Sequence, residues 1–215
     1  MSNFVLETIL ETKVIAIVRG VPSGQIAALA GAIRAGGLRC LEVTFDHAAS
    51  GGIQDTLASI RLLRGEFPDM CIGAGTVMSV EEVRQAREAG AGYIISPNTD
   101  EAVIRETKAL GLTSIPGAMT PSEAANAWKW GADLVKLFPA GVLGPEYIKA
   151  LKAPLKHIPV TAVGGVTPQN APDFLAAGCA GVGVGGNLVS PKLVAEGRLE
   201  EIAETARAYG KAVGR

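Results

Sequence analysis

The chain has 215 residues, of which 48% are hydrophobic and only 5% aromatic, with 27 glycines and a formal charge of −1. So apolar a composition excludes a disordered chain. The near-neutral balance, with no basic run, excludes an electrostatic footprint for nucleic acid. No apolar run approaches the roughly 20 residues that span a bilayer, so no membrane role is expected.

Residues 2–12 carry an amphipathic helical pattern, with Phe4, Val5, Ile9 and Leu10 on one side and Glu7 and Glu11 on the other. Strand and helix signals then alternate along the chain. A strand over 14–19 precedes a helix over 22–35 that Gly36 and Gly37 stop, and a strand over 39–44 precedes a helix over 52–64. Strands over 70–74, 93–96 and 112–115 lead to helices over 79–88, 99–109 and 121–129. The sixth strand carries Lys136 and precedes a helix over 145–151. Strands over 160–163 and 181–184 are followed by helices over 168–176 and 191–212. Eight strand-then-helix units with no linker predict one α/β domain over 1–215, a (β/α)8 TIM barrel behind a short N-terminal helix. An open doubly wound sheet is the alternative, and eight strands in so short a chain fit closure better.

Cys40, Cys71 and Cys179 have no CxxC spacing and sit among apolar or small residues, so buried reduced thiols are expected. The start of the chain lacks a basic segment followed by an apolar run, so no secretory signal is expected and the compartment is read as cytoplasmic. His47 and His157 lack ligand spacing, and neither a metal nor a cofactor is expected.

Strand side chains alternate, so Leu134, Lys136 and Phe138 share one face while Val135 and Leu137 share the other. An ammonium in such a strand loses hydration, which lowers its pKa and leaves a neutral amine able to attack carbonyl carbon. Taken alone, Lys136 reads more readily as a strand-end lysine reaching water or paired with a carboxylate, and the rest of the chain overturns that reading. The same parity turns Ile15, Ile17 and Arg19 inward on the first strand, and Cys40, Glu42 and Thr44 inward on the second. Arg19, Glu42 and Lys136 are thus expected at one end of the barrel, with a surplus positive charge for a bound anion. Gly164 and Gly165 follow the seventh strand, with Thr167 and Pro168 as N-cap and first helical residue. Gly185, Gly186 and Asn187 follow the eighth. Barrels often hold phosphate on these two loops, although glycines there also permit tight turns. Gly73, Ala74, Gly75 and Thr76 offer close approach and a hydroxyl.

These segments resemble one family. Ile17-Val18-Arg19, Leu41-Glu42-Val43-Thr44, Gly73-Ala74-Gly75-Thr76-Val77, Ser96-Pro97, the run from Ile115 through Pro116, Gly117, Ala118, Met119, Thr120 and Pro121 to Glu123, Val135-Lys136-Leu137-Phe138-Pro139-Ala140 and Gly164-Gly165-Val166 are similar, in order, to the 2-keto-3-deoxy-6-phosphogluconate / 4-hydroxy-2-oxoglutarate aldolases. The resemblance implies a metal-free class I aldolase acting on a small-molecule substrate, with Lys136 as Schiff-base lysine and Glu42 as general acid/base. It implies that Arg19, Thr76 and Pro97 surround the pyruvyl carboxylate and the mouth, and that Phe138 packs by the imine. Gly164, Gly165, Gly185 and Gly186 fall where the family holds a distal phosphate, and a homotrimer is implied. Departures occur at Phe45-Asp46-His47, where some members carry an arginine, and at Ala162-Val163 and Asn187, in the distal anion pocket. A barrel isomerase or synthase that uses the glycine loops and Glu42 without an imine, and a non-catalytic phosphometabolite-binding barrel, are the rival readings.

Overall fold

The structure, a computed structural model, describes residues 4–215. Its elements in chain order are α1 (Phe4–Thr12), β1 (Val14–Val18), α2 (Ser23–Ala35), β2 (Cys40–Thr44), α3 (Gly52–Glu66), β3 (Cys71–Gly75), α4 (Val80–Glu88), β4 (Tyr93–Ile95) and α5 (Glu101–Ala109). There follow β5 (Thr113–Ile115), β6 (Gly117–Ala118), α6 (Pro121–Lys129), β7 (Val135–Leu137), α7 (Ala140–Lys152), β8 (Val160–Val163), α8 (Ala171–Ala176), β9 (Gly181–Val184), α9 (Pro191–Ala195) and α10 (Leu199–Ala212). Residues 2 and 3 of the expected first helix lie outside the described residues.

All strand pairs are parallel, in the order β5-β4-β3-β2-β1-β9-β8-β7-β6, so nine strands form a nearly closed barrel with helices alternating between them. The count differs from the expected eight for a local reason. Pro116 alone separates β5 from β6, and proline has no N–H to give a ladder. Before it the chain pairs with β4, and after it with β7. The Leu134 N–H donates to the Ser114 carbonyl (3.3 Å) and the Lys136 N–H to the Pro116 carbonyl (2.9 Å), which brings the two edges together.

Several helices start where the sequence carries a cap. Ser79 accepts from the Glu82 N–H (3.2 Å) ahead of α4, and Asp100 from the Val103 N–H (3.0 Å) ahead of α5. Thr120 and Glu123 form a reciprocal capping box at α6 with Pro121 in its first turn. Three expectations are corrected. The helix expected over 145–151 begins at Ala140 and is kinked at Gly144 (φ 75°), just before Pro145. Thr167 does not cap α8: Asn170 is its N-cap, and Thr167 and Asn170 bond each other in the turn ahead of it (2.7 and 3.3 Å). The closing helix is broken into α9 and α10, with Gly197 (φ 70°) between them.

Apolar burial forms two layers. The larger lies between strands and helices and contains Val135, Leu137, Leu41 and Val43. The smaller lies inside the barrel and contains Ile15, Cys40, Cys71, Tyr93, Ile95, Ile115 and Leu134, with Val5 and Ile9 of α1 packed on it. Thr12 of α1 lies against Cys40 (Oγ1 to Sγ 3.4 Å), so α1 stoppers the strand N-terminal end. All three cysteines are buried and free. Among the described residues no helix is long and apolar enough to cross a membrane.

Candidate active site

The alternation of side chains delivers the site. Leu134 belongs to the lumen layer and Val135 and Leu137 to the helix layer, so Lys136 is turned inward. Ladder register places Ile17 beside Glu42 and Glu42 beside Gly73, which carries the carboxylate into the same lumen. At the strand C-terminal ends a cavity of about 530 Å³ opens. It is lined by every residue named from the sequence for this site: Arg19, Glu42, Thr76, Pro97, Lys136, Phe138, Gly164, Gly165, Gly185, Gly186 and Asn187. Ile17, Val163, Val166, Gly183 and Val184 complete the wall. Ile17 was legible as the inward neighbour of Arg19, whereas the valines read only as core. Thr44, expected inward with Glu42, is buried but does not line this cavity.

Lys136 and Glu42 are 8% and 1% exposed. Burial pushes the Lys136 amine below its usual value, Glu42 opposes that shift, and Arg19 adds to it. Burial also holds the Glu42 carboxyl above the usual carboxylate range, against the pull of Lys136 and Arg19. An amine that readily loses its proton thus faces a carboxyl that readily keeps one. The Lys136 Nζ lies 5.1 Å from the centroid of the Phe138 ring, which stands at the mouth, 42% exposed.

Close approach depends on glycine. A Cβ at Gly75 would lie 1.7 Å from Glu42 Oε1, so the carboxylate rests where a side chain would be. Next to it Thr76 has φ 57°, a left-handed conformation that costs a β-branched residue on the order of 1–3 kcal/mol. That turn sets Thr76 Oγ1 against the Arg19 guanidinium, which donates to it at 3.1 Å. Phe45-Asp46-His47 supplies no cation to the cavity. Phe45 is buried, Asp46 accepts from the Ala48 and Ala49 N–H groups, and His47 Nε2 pairs with Glu82 Oε1 (2.8 Å). Arg19 and Lys136 are the cations among the lining residues.

The two glycine loops form one wall. Gly164 and Gly165 have φ 92° and 74°, which only glycine adopts readily. Their carbonyls are bonded back into the protein, Gly164 by the Gly141 N–H (2.7 Å) and Gly165 by Asn170 Nδ2 (3.1 Å). The Val166 carbonyl accepts from Asn187 Nδ2 (2.8 Å) and from Tyr209 Oη (2.9 Å), so Asn187 ties the second loop to the first. Among the described residues no acceptor within the chain takes the N–H groups of Gly165, Val166, Gly186 or Asn187. On the first loop the acceptors are spent while the donors are free, an arrangement that can receive an anion. Among the described residues no group of three or more His, Cys, Asp or Glu side chains gathers in a way that could hold a metal ion.

The family profile "Aldolase: KDPG and KHG aldolase" matches residues 5–205. The 2-dehydro-3-deoxy-6-phosphogalactonate aldolase of Escherichia coli (strain K12) is 38% identical over 200 residues, 93% of this chain and 95% of that one. The 2-dehydro-3-deoxy-phosphogluconate aldolase of Treponema pallidum (strain Nichols) is 32% identical over 80% of each chain. Among solved structures, the KDPG aldolase of Legionella pneumophila, with pyruvate captured as a covalent carbinolamine, superposes with a TM-score of 0.84 at 27% identity, over 95% of this chain and 97% of that one. A match of this length, with an inward lysine and carboxylate at the barrel mouth, assigns the chain to the KDPG and KHG aldolase family of class I, Schiff-base aldolases.

Proposed function

We propose that this aldolase cleaves a 2-keto-4-hydroxy acid, either 2-keto-3-deoxy-6-phosphogluconate or 4-hydroxy-2-oxoglutarate, with Lys136 as the Schiff-base lysine and Glu42 as the proton shuttle. The relative named for the phosphogalactonate adds that epimer to the substrates worth testing. The observation that carries the reading is a buried amine and a buried carboxyl on one cavity, their proton affinities pushed in opposite directions by desolvation.

Lys136 Nζ attacks the C2 ketone, and the carbinolamine loses water to give a protonated imine. Glu42 takes the proton of the C4 hydroxyl, the C3–C4 bond breaks, and its electron pair moves into the imine to form an enamine. The aldehyde leaves, Glu42 returns its proton to C3 of the enamine, and water releases pyruvate from Lys136. Arg19 and Thr76 hold the pyruvyl carboxylate, and Pro97 and Phe138 shape the mouth. The free N–H groups of Gly165, Gly186 and Asn187 receive the distal phosphate, with Gly164 and Gly185 setting the turns.

Incubation with pyruvate and borohydride tests the assignment. Mass spectrometry should find one reduced adduct, on the peptide containing Lys136, and Lys136→Arg should abolish both adduct and turnover. Turnover that survives Lys136→Arg would favour a barrel isomerase instead.

Four further readings belong to the same proposal. Taken as one strand interrupted at Pro116, β5 and β6 bring the architecture to (β/α)8, and residues 1–215 act as one domain. Free buried cysteines support the cytoplasm as the compartment. Exposed Met119, Trp128 and Val142 support burial against a second copy of the chain, in a homotrimer that sedimentation equilibrium would detect.

A further inference from the structure

We propose that Tyr93 is a positioning residue for Glu42, its phenol hydroxyl joined to the carboxylate Oε2 through one enclosed water. The inference rests on Glu42 being the proton shuttle.

Ladder register sets Glu42 beside Gly73 and Gly73 beside Tyr93, so β2, β3 and β4 contribute one inward row whose middle member has no side chain. A Cβ at Gly73 would lie 2.3 Å from Cε2 and 2.4 Å from Cδ2 and Cζ of Tyr93. The ring therefore lies across the Gly73 backbone, reaching from β4 toward the strand that carries Glu42. Glu42 leans toward the mouth, over Gly75, while the Tyr93 ring occupies the place of the side chain that Gly73 lacks. Tyr93 and Glu42 are both buried, and among the described residues neither Tyr93 Oη nor Glu42 Oε2 has a hydrogen-bond partner. Two orphaned oxygens, one able to donate and one to accept, on inward positions separated only by Gly73 are the polar partners an enclosed water needs.

The surrounding charges give this contact a role. Lys136 and Arg19 face Glu42 from the mouth, and Cys40 and Cys71 face Tyr93 from the row toward the foot. Burial raises the Tyr93 phenol well above its usual value, so it remains a donor wherever the enzyme works. A donor on Oε2 favours the ionised carboxylate and offsets part of the desolvation that opposes it. Retro-aldol cleavage needs that ionised form to accept the C4 proton, so the rate falls when Glu42 becomes protonated.

The test compares pH profiles of kcat/KM for the wild type, Tyr93→Phe and Glu42→Gln. Phenylalanine keeps the ring across Gly73 and removes only the donor. The acidic limb of Tyr93→Phe should move up by about one pH unit. Its high-pH plateau should stay within about threefold of wild type, and Glu42→Gln should lose ~100-fold or more at every pH. If Glu42→Gln keeps its activity, the shuttle assignment falls and takes this inference with it. If Glu42→Gln is inactive but the Tyr93→Phe limb superposes on wild type, the inference alone is overturned. Should Tyr93→Phe not fold, high-resolution diffraction from wild-type crystals decides. A water within hydrogen-bonding distance of both oxygens supports the proposal, and a well-resolved lumen without one refutes it.

Discussion

Replacing Gly75 by alanine places one methyl group in the seat of the proposed proton shuttle. The new Cβ would lie 1.7 Å from Glu42 Oε1, 2.5 Å from Cδ and 2.6 Å from Cγ. Real Cβ atoms essentially never come within 3.0 Å of such neighbours, so the carboxylate must retreat. The retreat exceeds ~1 Å, and a misplacement of about that size costs on the order of 100-fold in rate. The position is in β3 and its backbone is ordinary for a strand, so alanine adds no conformational strain of its own. Overpacking typically costs about 1–3 kcal/mol, which leaves a folded protein. Retro-aldol turnover, followed by coupling released pyruvate to lactate dehydrogenase, should fall about 100-fold. Borohydride trapping of pyruvate should still label Lys136, and circular dichroism should be unchanged. A Gly75→Ala enzyme with wild-type turnover would refute the placement of Glu42 in the reaction.

Arg19→Ala removes the cation that depresses the Lys136 amine. The ammonium form gains, the Lys136 pKa rises, and the pH midpoint for adduct formation at saturating pyruvate moves upward; a downward move contradicts the assigned electrostatics. Asn187→Ala deletes the 2.8 Å bond to the Val166 carbonyl that ties the glycine loops together. Loss of about 1 kcal/mol should raise KM roughly fivefold for a phosphorylated substrate and leave an unphosphorylated one unaffected, as steady-state kinetics will show. Thr120→Ala removes the capping box of α6. Thermal denaturation should show a loss of about 1 kcal/mol, or roughly 2–4 °C in Tm, with kcat unchanged.

What was legible in the sequence follows from periodicity. Lys136, Glu42 and Arg19 come together because side chains alternate along short strands, and parity needs no knowledge of what lies across the lumen. Glycines beside two strand ends marked the loops that wall the cavity for the same local reason. Contacts between different strands left no such trace. A tyrosine opening β4 reads as packing until Gly73 is known to lie next to it. Gly75 reads as a turn residue until Glu42 is found resting on it. The handover at Pro116 depends on which neighbour each half of the segment meets, and the late start of α8 was hidden because Thr167 and Asn170 satisfy each other ahead of the helix. The caps at Ser79, Asp100 and Thr120 follow local rules, although the one N-cap read from the sequence, Thr167, was not among them.

The helix packed against the foot of the barrel has a bearing on how products depart. With Val5 and Ile9 sealing that end, traffic is confined to the mouth. On the proposed mechanism the three-carbon fragment stays covalently tethered to Lys136 at depth while the aldehyde leaves through the outer part of the same passage. Departure is consequently sequential, the aldehyde first and pyruvate after hydrolysis, and in the synthetic direction the keto acid must enter before its partner. A dead-end barrel thus imposes an order of events that an open-ended one would not.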